Sequence, residues 1–277
     1  MIDGRKLGLS AAAAMFEKAA KNHAAQTLLF NALRLNRPEA RGLLLSDDFK
    51  FLSYCMSRRE RSRAQILQDL WVCFELKGHR NGFFVEFGAT NGLKNSNTWL
   101  LEKELGWKGI LAEPNPFWHS DLAANRSSLI EHRCVSSKTG QTVEFIATDD
   151  TDPELSSMAA FSQADHFADL RSRGQRMYIE TISLDDLLQK YDAPQVIDYL
   201  SVDTEGSELE ILSHYSFRHQ FRTISVENNA TNATKLDNLL MSKGYRRVFP
   251  HLSQWDSWYI SSDLRSEFPT EISAPDK

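Results

Sequence analysis

The sequence predicts an α/β fold built on a mostly parallel sheet, and three observations support this class. Short apolar runs alternate with helix-like segments from about residue 83 onward, which is the order that repeated β-α-β units produce. The run at 83–85 is apolar without alternation, as in a strand that is covered on both faces. Finally, the composition is that of an ordinary globular protein, since 42% of the 277 residues are hydrophobic and 25% are charged. The length predicts one large domain with an appendage.

The first predicted elements are helices. Residues 1–60 are expected to form a helical extension, with one helix at 9–33, which is rich in helix-forming residues, and a shorter one near 46–56. A third helix is predicted at 62–74 because its apolar residues recur on one face. The sheet-forming domain is predicted at 61–265, and a short tail follows at 266–277.

Strands and helices then alternate through the predicted domain. Strands are predicted at 83–87, 108–112, 130–135, 143–147, 177–182, 197–202 and 222–227. Helices are predicted near 96–105, 116–125, 183–191, 206–214 and 232–243. Two last apolar runs, at 245–249 and 255–260, suit an antiparallel pair that closes one edge of the sheet.

Charge and cysteine content disfavour several classes of protein. The formal net charge of −5 gives no global attraction to nucleic acid or to an anionic membrane. The three cysteines are scattered and form no C-x-x-C pair, so neither a disulfide framework nor a structural zinc site is expected. No apolar segment with a cleavage site follows the first residues and no stretch reaches transmembrane length, so we expect a cytoplasmic protein.

The segment Glu86-Phe-Gly88-Ala-Thr-Asn-Gly92 directly follows the first predicted strand. Its glycines allow the backbone to pass close to a ligand because they carry no Cβ. A loop that binds phosphate favours backbone N–H groups without a carboxylate, whereas Glu86 suits a ligand that carries a sulfonium and an ammonium group. The segment therefore favours S-adenosylmethionine (SAM) over a dinucleotide. The alternative is that both glycines only close a tight strand-to-helix turn.

Three further strand ends carry polar side chains at the edge of the sheet where ligands bind in such folds. Glu113 is placed to accept hydrogen bonds from ribose hydroxyls, or alternatively to cap the helix that begins near Pro116. Ser136 follows the third strand and suits backbone contact with an adenine edge. Glu227 ends the strand at 222–227 and adds a carboxylate near the same edge.

Asp203 and Glu205 follow the strand at 197–202 and are two residues apart, so both side chains can point into one cavity. One of them can take the proton of an attacking hydroxyl, or both can hold a divalent cation that lowers the hydroxyl pKa. The alternative is that Glu205 caps the next helix and Asp203 accepts hydrogen bonds from backbone amides. His166 and His214 are further candidates for the base. The sequence leaves metal dependence open.

Four motifs, in order, resemble those of the FkbM family of SAM-dependent methyltransferases. They are Phe84-Val-Glu86-Phe-Gly88-Ala-Thr-Asn-Gly92, Asn95-Ser96-Asn97-Thr98, Trp107-Lys-Gly109-Ile-Leu-Ala-Glu113-Pro114-Asn115-Pro116 and Tyr199-Leu-Ser-Val-Asp203-Thr-Glu205-Gly206. The resemblance extends from about residue 62 to 260. It implies a class I methyltransferase (Rossmann-like) fold, with a seven-stranded, mostly parallel sheet and a terminal antiparallel hairpin.

The resemblance also implies roles for individual residues. The implied cofactor-binding set is Glu86, Gly88, Gly92, Ser96, Glu113, Pro114, Ser136 and Asp203. Within it, Glu86 and the two glycines would hold the methionine portion, Glu113 the ribose and Ser136 the adenine side. Asp203 and Glu205 match the Asp-x-Glu-Gly motif and would face the methyl group and the acceptor. The segment at 149–176, which contains His166, matches no family motif and is the predicted acceptor-binding insert.

The implied reaction is O-methylation of a hydroxyl on a sugar, glycan or natural product. A second function left open is an NAD- or nucleotide-sugar-linked oxidoreductase, although the loop lacks the G-x-G-x-x-G pattern. A third is a non-catalytic module that presents its helical extension to a partner protein. The identity of the acceptor, the role of the amino-terminal helices and the assembly into a homo-oligomer are not specified by the sequence.

Overall fold

A computed structural model describes residues 46–148, 156–161, 173–227 and 232–264, with four isolated helical positions at 27, 30, 31 and 34. The chain forms two compact units, Met1–Met56 and Ser57–Lys277. Within the first unit, helix α1 (Asp47–Met56) buries Phe51 and Cys55. The predicted tail at 266–277, most of the helix predicted at 9–33 and most of the segment at 149–176 lie outside the described residues. The domain limits at 60/61 and 265/266 stay predictions.

The second unit contains eleven strands within its described ranges. In chain order they are β1 (Phe83–Phe87), β2 (Lys108–Ala112), β3 (Leu129–Glu131), β4 (Cys134–Ser136), β5 (Thr142–Ala147), β6 (Ser157–Met158), β7 (Gln175–Ser183), β8 (Val196–Val202), β9 (Gln220–Glu227), β10 (Tyr245–Val248) and β11 (Asp256–Ser261). Seven of them form the main sheet in the order β10-β11-β9-β8-β1-β2-β3. The strands from β9 to β3 in this order are parallel, and β11 runs antiparallel to β9 and β10. The predicted α/β class with a mostly parallel sheet is confirmed.

Six α-helices accompany these strands in the described part of the second unit. They are α2 (Gln68–Glu75), α3 (Trp99–Leu105), α4 (Pro116–Asn125), α5 (Leu184–Lys190), α6 (Glu208–His214) and α7 (Ala233–Ser242). Apolar residues of α5, α6 and α7 pack on one face of the main sheet, against residues such as Val85 and Phe87. None of the helices in the described ranges combines the length and apolarity needed to cross a bilayer.

The other face of the main sheet is partly polar, and register explains which side chains share it. Phe84 is aligned with Tyr199, and Glu86 with Ser201. Because side chains alternate along a strand, Glu86 and Ser201 lie on the same face as this aromatic pair. The ring of Trp71 from α2 contacts that face, since it stacks on Trp258 of β11 and meets Tyr199 edge-on.

Several predicted strands belong to a second sheet, which has the order β4-β7-β5-β6. The single strand predicted at 130–135 is divided, because β3 pairs with β2 in the main sheet whereas β4 pairs with β7. The strands predicted at 143–147 and 177–182 pair with each other in antiparallel orientation. Much of β7 alternates between exposed and partly buried side chains, as antiparallel strands with one wet face do.

The helix predicted at 62–74 is shorter than expected, since α2 begins at Gln68. Leu67 adopts a left-handed conformation (φ 68°), which ends any helix entering from the amino-terminal side. The carboxylate of Asp69 holds the preceding segment as a turn, accepting hydrogen bonds from the Ser62 hydroxyl (2.6 Å) and the Arg63 amide (3.0 Å).

Candidate active site

Glu86 lies at the end of β1 with its carboxylate directed onto the loop that follows. It accepts hydrogen bonds from the amide of Asn97 (2.7 Å) and the hydroxyl of Thr98 (2.5 Å), while the Ser96 hydroxyl lies 3.3 Å from Oε2. The guanidinium of Arg126 is 3.6 Å away. Burial raises the pKa of Glu86, and the charge of Arg126 opposes this shift. Glu86 thus organises the loop, and its direct contact with a cofactor stays a prediction.

The loop carries two positive-φ glycines at the predicted spacing, and each has a different neighbour. Gly88 (φ 73°) is exposed, and a Cβ there would overlap the backbone oxygen of Asp203. Gly92 (φ 71°) is buried, and a Cβ there would lie 2.5 Å from Cγ of Arg126 and 2.7 Å from Cδ1 of Leu122. The loop therefore lies against the end of β8 on one side and against Arg126 on the other.

Glu113 lies at the end of β2 and is buried. Its oxygens accept hydrogen bonds from the amide of Thr90 in the glycine loop (2.8 Å) and from the amide of Asn115 (2.8 Å). Burial raises the pKa of Glu113 to about 7. Asn115, rather than Glu113, caps α4, since its side chain accepts the amide of Phe117 (3.1 Å). Pro114 is half-buried between these two residues.

The remaining predicted site residues lie in different places. Ser136 ends β4 in the second sheet, where it is buried and aligned with Ser183. Ser96 is part of the contact network of Glu86, and its hydroxyl accepts the amide of Trp99 at the start of α3 (3.1 Å). His214 is exposed at the last turn of α6, with Nδ1 2.9 Å from the carbonyl oxygen of Glu210. His166 lies outside the described residues.

Three carboxylates meet where β8 and β9 end. Asp203, Glu205 and Glu227 are all half-buried, and one oxygen from each lies within 4.8 Å of the others. The side chains of Asp203 and Glu227 are close enough for their negative charges to repel, which disfavours ionisation of both groups at once. Burial, followed by the charges of Asp256 and Glu208, raises the pKa of Asp203 to about 7. Burial and the neighbouring carboxylates also raise the pKa of Glu227 well above its ordinary value.

Two acidic residues that sequence reasoning missed complete this cluster. Asp256 is aligned with Glu227 across β11 and β9, and its Oδ2 accepts a hydrogen bond from Nε2 of Gln68 (3.0 Å). Burial raises the pKa of Asp256 to about 6. Glu208 accepts the amides of Thr204 (3.0 Å) and Gly206 (2.9 Å), so it fixes the turn that carries Glu205. The spacing Glu205-Gly-Ser-Glu208 was the available sequence signal for this role in the turn.

The hydrogen-bonding groups at this edge fit a cationic nucleoside cofactor. The carboxylates at this edge outnumber the positively charged side chains described there. The nearby cation, Arg126, is already paired with Glu86 and Glu102. Within the described part of the chain, Oδ1 of the buried Asn97 accepts no hydrogen bond, although Nδ2 of that residue donates to Ser201 (2.9 Å). An ammonium group would supply the missing donor, and the exposed backbone at Gly88 permits close approach.

A glycine loop and an acidic edge on a parallel sheet define a candidate nucleoside-cofactor enzyme, and comparison with known proteins specifies its family. A family model described as Methyltransferase FkbM domain matches residues 86–247, which is more than half of the 277-residue chain. The chain therefore belongs to the FkbM methyltransferase family, as its motifs implied, and it is a SAM-dependent methyltransferase. The search of curated proteins found no match.

The chain is also similar to several solved structures. It is 12% identical to the precorrin-6y C5,15-methyltransferase from Geobacter metallireducens GS-15, covering 65% of this chain and 71% of that one with a TM-score of 0.35. It is 14% identical to a human methyltransferase 10 domain containing protein, covering 79% and 99% respectively, with a TM-score of 0.38. It is 11% identical to a chain of a fibrillarin/Nop5p complex, covering 72% of this chain and 81% of that one with a TM-score of 0.35.

Proposed function

We propose that this protein transfers the methyl group of SAM to a hydroxyl of a sugar, glycan or natural-product acceptor. The observation that carries the proposal is the position of Asp203. Its backbone oxygen lies against Gly88 of the glycine loop, and its carboxylate belongs to the cluster with Glu205 and Glu227. This position supports Asp203 as a proton acceptor beside the loop proposed to hold the cofactor.

The proposed cofactor contacts follow the strand ends around that loop. When bound, SAM supplies an electrophilic methyl group on a sulfonium. The loop that contains Glu86, Gly88, Gly92 and Ser96 would surround its methionine portion. Glu113 would accept the ribose hydroxyls with its remaining lone pairs, since each carboxylate oxygen accepts more than one hydrogen bond. Pro114 and Ser136 are proposed to line the nucleoside side.

Asp203 is proposed as the general base. A hydroxyl is a poor nucleophile while it keeps its proton, and a base works best when its pKa lies near the working pH. The raised pKa of Asp203, about 7, meets this condition. Glu205 and Glu227 would accept hydrogen bonds from other hydroxyls of the acceptor, which suits a polyhydroxylated molecule. His166 remains a second candidate for the base.

A divalent cation is the alternative means of activating the hydroxyl. The oxygens of Asp203, Glu205 and Glu227 are close enough together to hold one. Three acidic side chains alone do not define a cation site, so we assign removal of the hydroxyl proton to Asp203. Unchanged turnover after dialysis against a chelator would support this choice, whereas activity lost with the chelator and restored by magnesium would favour the cation.

The test is transfer of labelled methyl from SAM to a panel of sugars, glycans and hydroxylated natural products. Asp203→Asn keeps the shape of the side chain and removes the base, so kcat should fall by about 10²- to 10⁴-fold. Calorimetry should show little change in the affinity for S-adenosylhomocysteine. Asp237→Asn is the matched control, because Asp237 bonds Arg247 and Tyr259 away from the carboxylate cluster.

Other outcomes would contradict specific parts of the proposal. Loss of S-adenosylhomocysteine binding in Asp203→Asn would assign Asp203 to the cofactor instead of to proton transfer. Labelling of RNA in place of every hydroxylated small molecule and glycan would overturn the acceptor class. Binding of NAD without binding of SAM would favour an oxidoreductase.

A further inference from the structure

We infer that Arg126 is a positioning residue for methyl transfer, which fixes the loop from Gly88 to Thr98 in its ligand-binding conformation without touching the ligand. This role rests on the proposed function of that loop as the SAM site. Arg126 directly follows α4 and belongs to none of the strand-end motifs. Its side chain has no solvent exposure.

The guanidinium of Arg126 contacts the loop at three separate points. Its Nη1 donates to the carbonyl oxygen of Gly92 (3.3 Å) and to the hydroxyl of Ser96 (3.1 Å). Its Nη2 donates to the hydroxyl of Thr98 (2.8 Å). A planar, forked group with several donors can hold three such points at once, which a single ammonium group cannot reproduce.

Two buried carboxylates flank the guanidinium of Arg126. Its Nε donates to Oε2 of Glu102 in α3 (2.9 Å), and Glu86 lies on its other side at 3.6 Å. Burial alone would raise the pKa of Glu102, but the Ser128 hydroxyl and Arg126 outweigh it and lower that pKa to about 2. Arg126 therefore connects the strand before the loop with the helix after it.

The loop needs such an anchor because its backbone is strained. Between Gly88 and Asn95, four residues have positive φ, and two of them, Thr90 (46°) and Asn95 (59°), are not glycine. Non-glycine residues stay in this conformation only where surrounding contacts hold them. Gly92 packs directly on the Arg126 side chain, where a Cβ would lie 2.5 Å from Cγ. The second glycine of the motif thus makes room for Arg126.

The test compares Arg126→Lys with Arg222→Lys. Lysine keeps the charge between Glu86 and Glu102 but loses the forked contacts to the loop. Arg222 offers a matched control, since it forms a 2.7 Å ion pair with the buried Asp198, whose other oxygen accepts the amide of Phe83 at the start of β1. Both variants replace the arginine of an Arg–carboxylate pair, but Arg222 lies in β9 and not beside the glycine loop's anchor.

In Arg126→Lys we expect the dissociation constant of SAM to rise about tenfold while kcat at saturating SAM stays close to that of the wild type. In Arg222→Lys the affinity for SAM should not change. Hydrogen exchange without ligand gives a second readout. The amides of Asn97 and Trp99, which donate to Glu86 and Ser96, should exchange faster in Arg126→Lys alone.

Unchanged exchange at Asn97 and Trp99 in folded Arg126→Lys would overturn the inference, as would equal losses of SAM affinity in both variants. If the wild type binds no SAM, the proposed function fails, and the exchange measurement still decides the role of Arg126. Should Arg126→Lys not fold, Thr98→Val removes one of the three loop contacts of Arg126, together with the hydrogen bond from Thr98 to Glu86, and should accelerate exchange at Asn97. Unchanged exchange at Asn97 in that variant would count against the inference.

Discussion

Individual side chains at the acidic edge influence one another through charge. Asp203, Glu227 and Asp256 lie on one face of the sheet, and Glu86 and Glu208 add to the negative potential at Asp203. Like charges in a partly buried site favour the protonated forms. The pKa of Asp203 therefore depends on residues that need not contact the acceptor, and Asp256 is the strongest of these neighbours.

Replacing Asp256 by asparagine should shift the pH dependence of turnover. The change removes a negative charge, while the amide oxygen of the new side chain can still accept the hydrogen bond from Gln68. The pKa of Asp203 should fall, so the acid limb of the kcat/KM profile should move to lower pH by about 0.5 to 1 unit. The measurement is a pH–rate profile of the variant beside Asp237→Asn, which should keep the wild-type limb. An unmoved or raised limb in Asp256→Asn would contradict this coupling.

Asp256 and Arg126 escaped sequence reasoning for physical reasons. Parallel strands bring their carboxyl ends to one edge of the sheet, so residues that directly follow a strand are the expected site residues. Strand β11 is antiparallel, so its amino end, with Asp256, reaches that edge instead. Arg126 follows a helix, and its role arises from tertiary packing that no local pattern encodes. Asp203 and Glu205, in contrast, could be found from sequence because they directly follow a buried strand.

At the scale of elements, the contact between the β1 loop and the end of β8 joins the proposed cofactor loop to the proposed base. Gly88 makes this contact possible because it has no Cβ. Its left-handed φ also favours glycine. These two requirements can be separated experimentally, since Gly140 has a similar φ (76°) but a Cβ at that position would have no heavy atom within 4 Å.

Gly88→Ala should weaken SAM binding, whereas Gly140→Ala should not. Both substitutions place alanine in a left-handed conformation, which by itself should lower the unfolding free energy by about 1 kcal/mol. Only the first forces the loop away from Asp203. Calorimetric titration with S-adenosylhomocysteine, together with thermal unfolding, checks the prediction. Equal affinities in the two variants would mean that the close approach at Gly88 does not matter for the cofactor.

The elements themselves were predictable to different degrees. Strands β1 and β8 and helix α4 carry strong local signals, namely mostly apolar sequences in the strands and Asn115-Pro116 at the helix start. The pairing of β4, β5 and β7 in a separate sheet was not predictable, because strand partners are chosen by tertiary contacts between distant segments. The late start of α2 depends on side-chain bonds of Asp69 that compete with helical structure.

For the whole molecule, the acidic edge should reduce stability at neutral pH. A carboxyl group with a raised pKa holds its proton in the folded state after the unfolded chain has lost it. The stability that this proton provides is therefore complete below the ordinary pKa near 4 and is lost as pH rises toward 7. Asp203, Glu113 and Asp256 all have pKa values raised in this way.

Asp203→Asn should accordingly be more stable than the wild type at pH 8 and equal to it near pH 4. A gain of about 1 kcal/mol corresponds to a Tm higher by about 2–4 °C in a domain of this size. Glu102→Gln should instead be less stable than the wild type at pH 8. The pKa of Glu102 is lowered in the folded state, so its ionised carboxylate stabilises the fold above about pH 5. Thermal unfolding across pH measures both. A lower Tm for Asp203→Asn at pH 8 would contradict the electrostatic account.

The most direct test of the central claim is a crystal structure with S-adenosylhomocysteine. The amino-acid portion should lie along the loop from Gly88 to Asn97, the ribose beside Glu113, and the sulfur on the side of Asp203. A ligand bound elsewhere on the protein, or one that contacts neither Glu113 nor the glycine loop, would contradict the account.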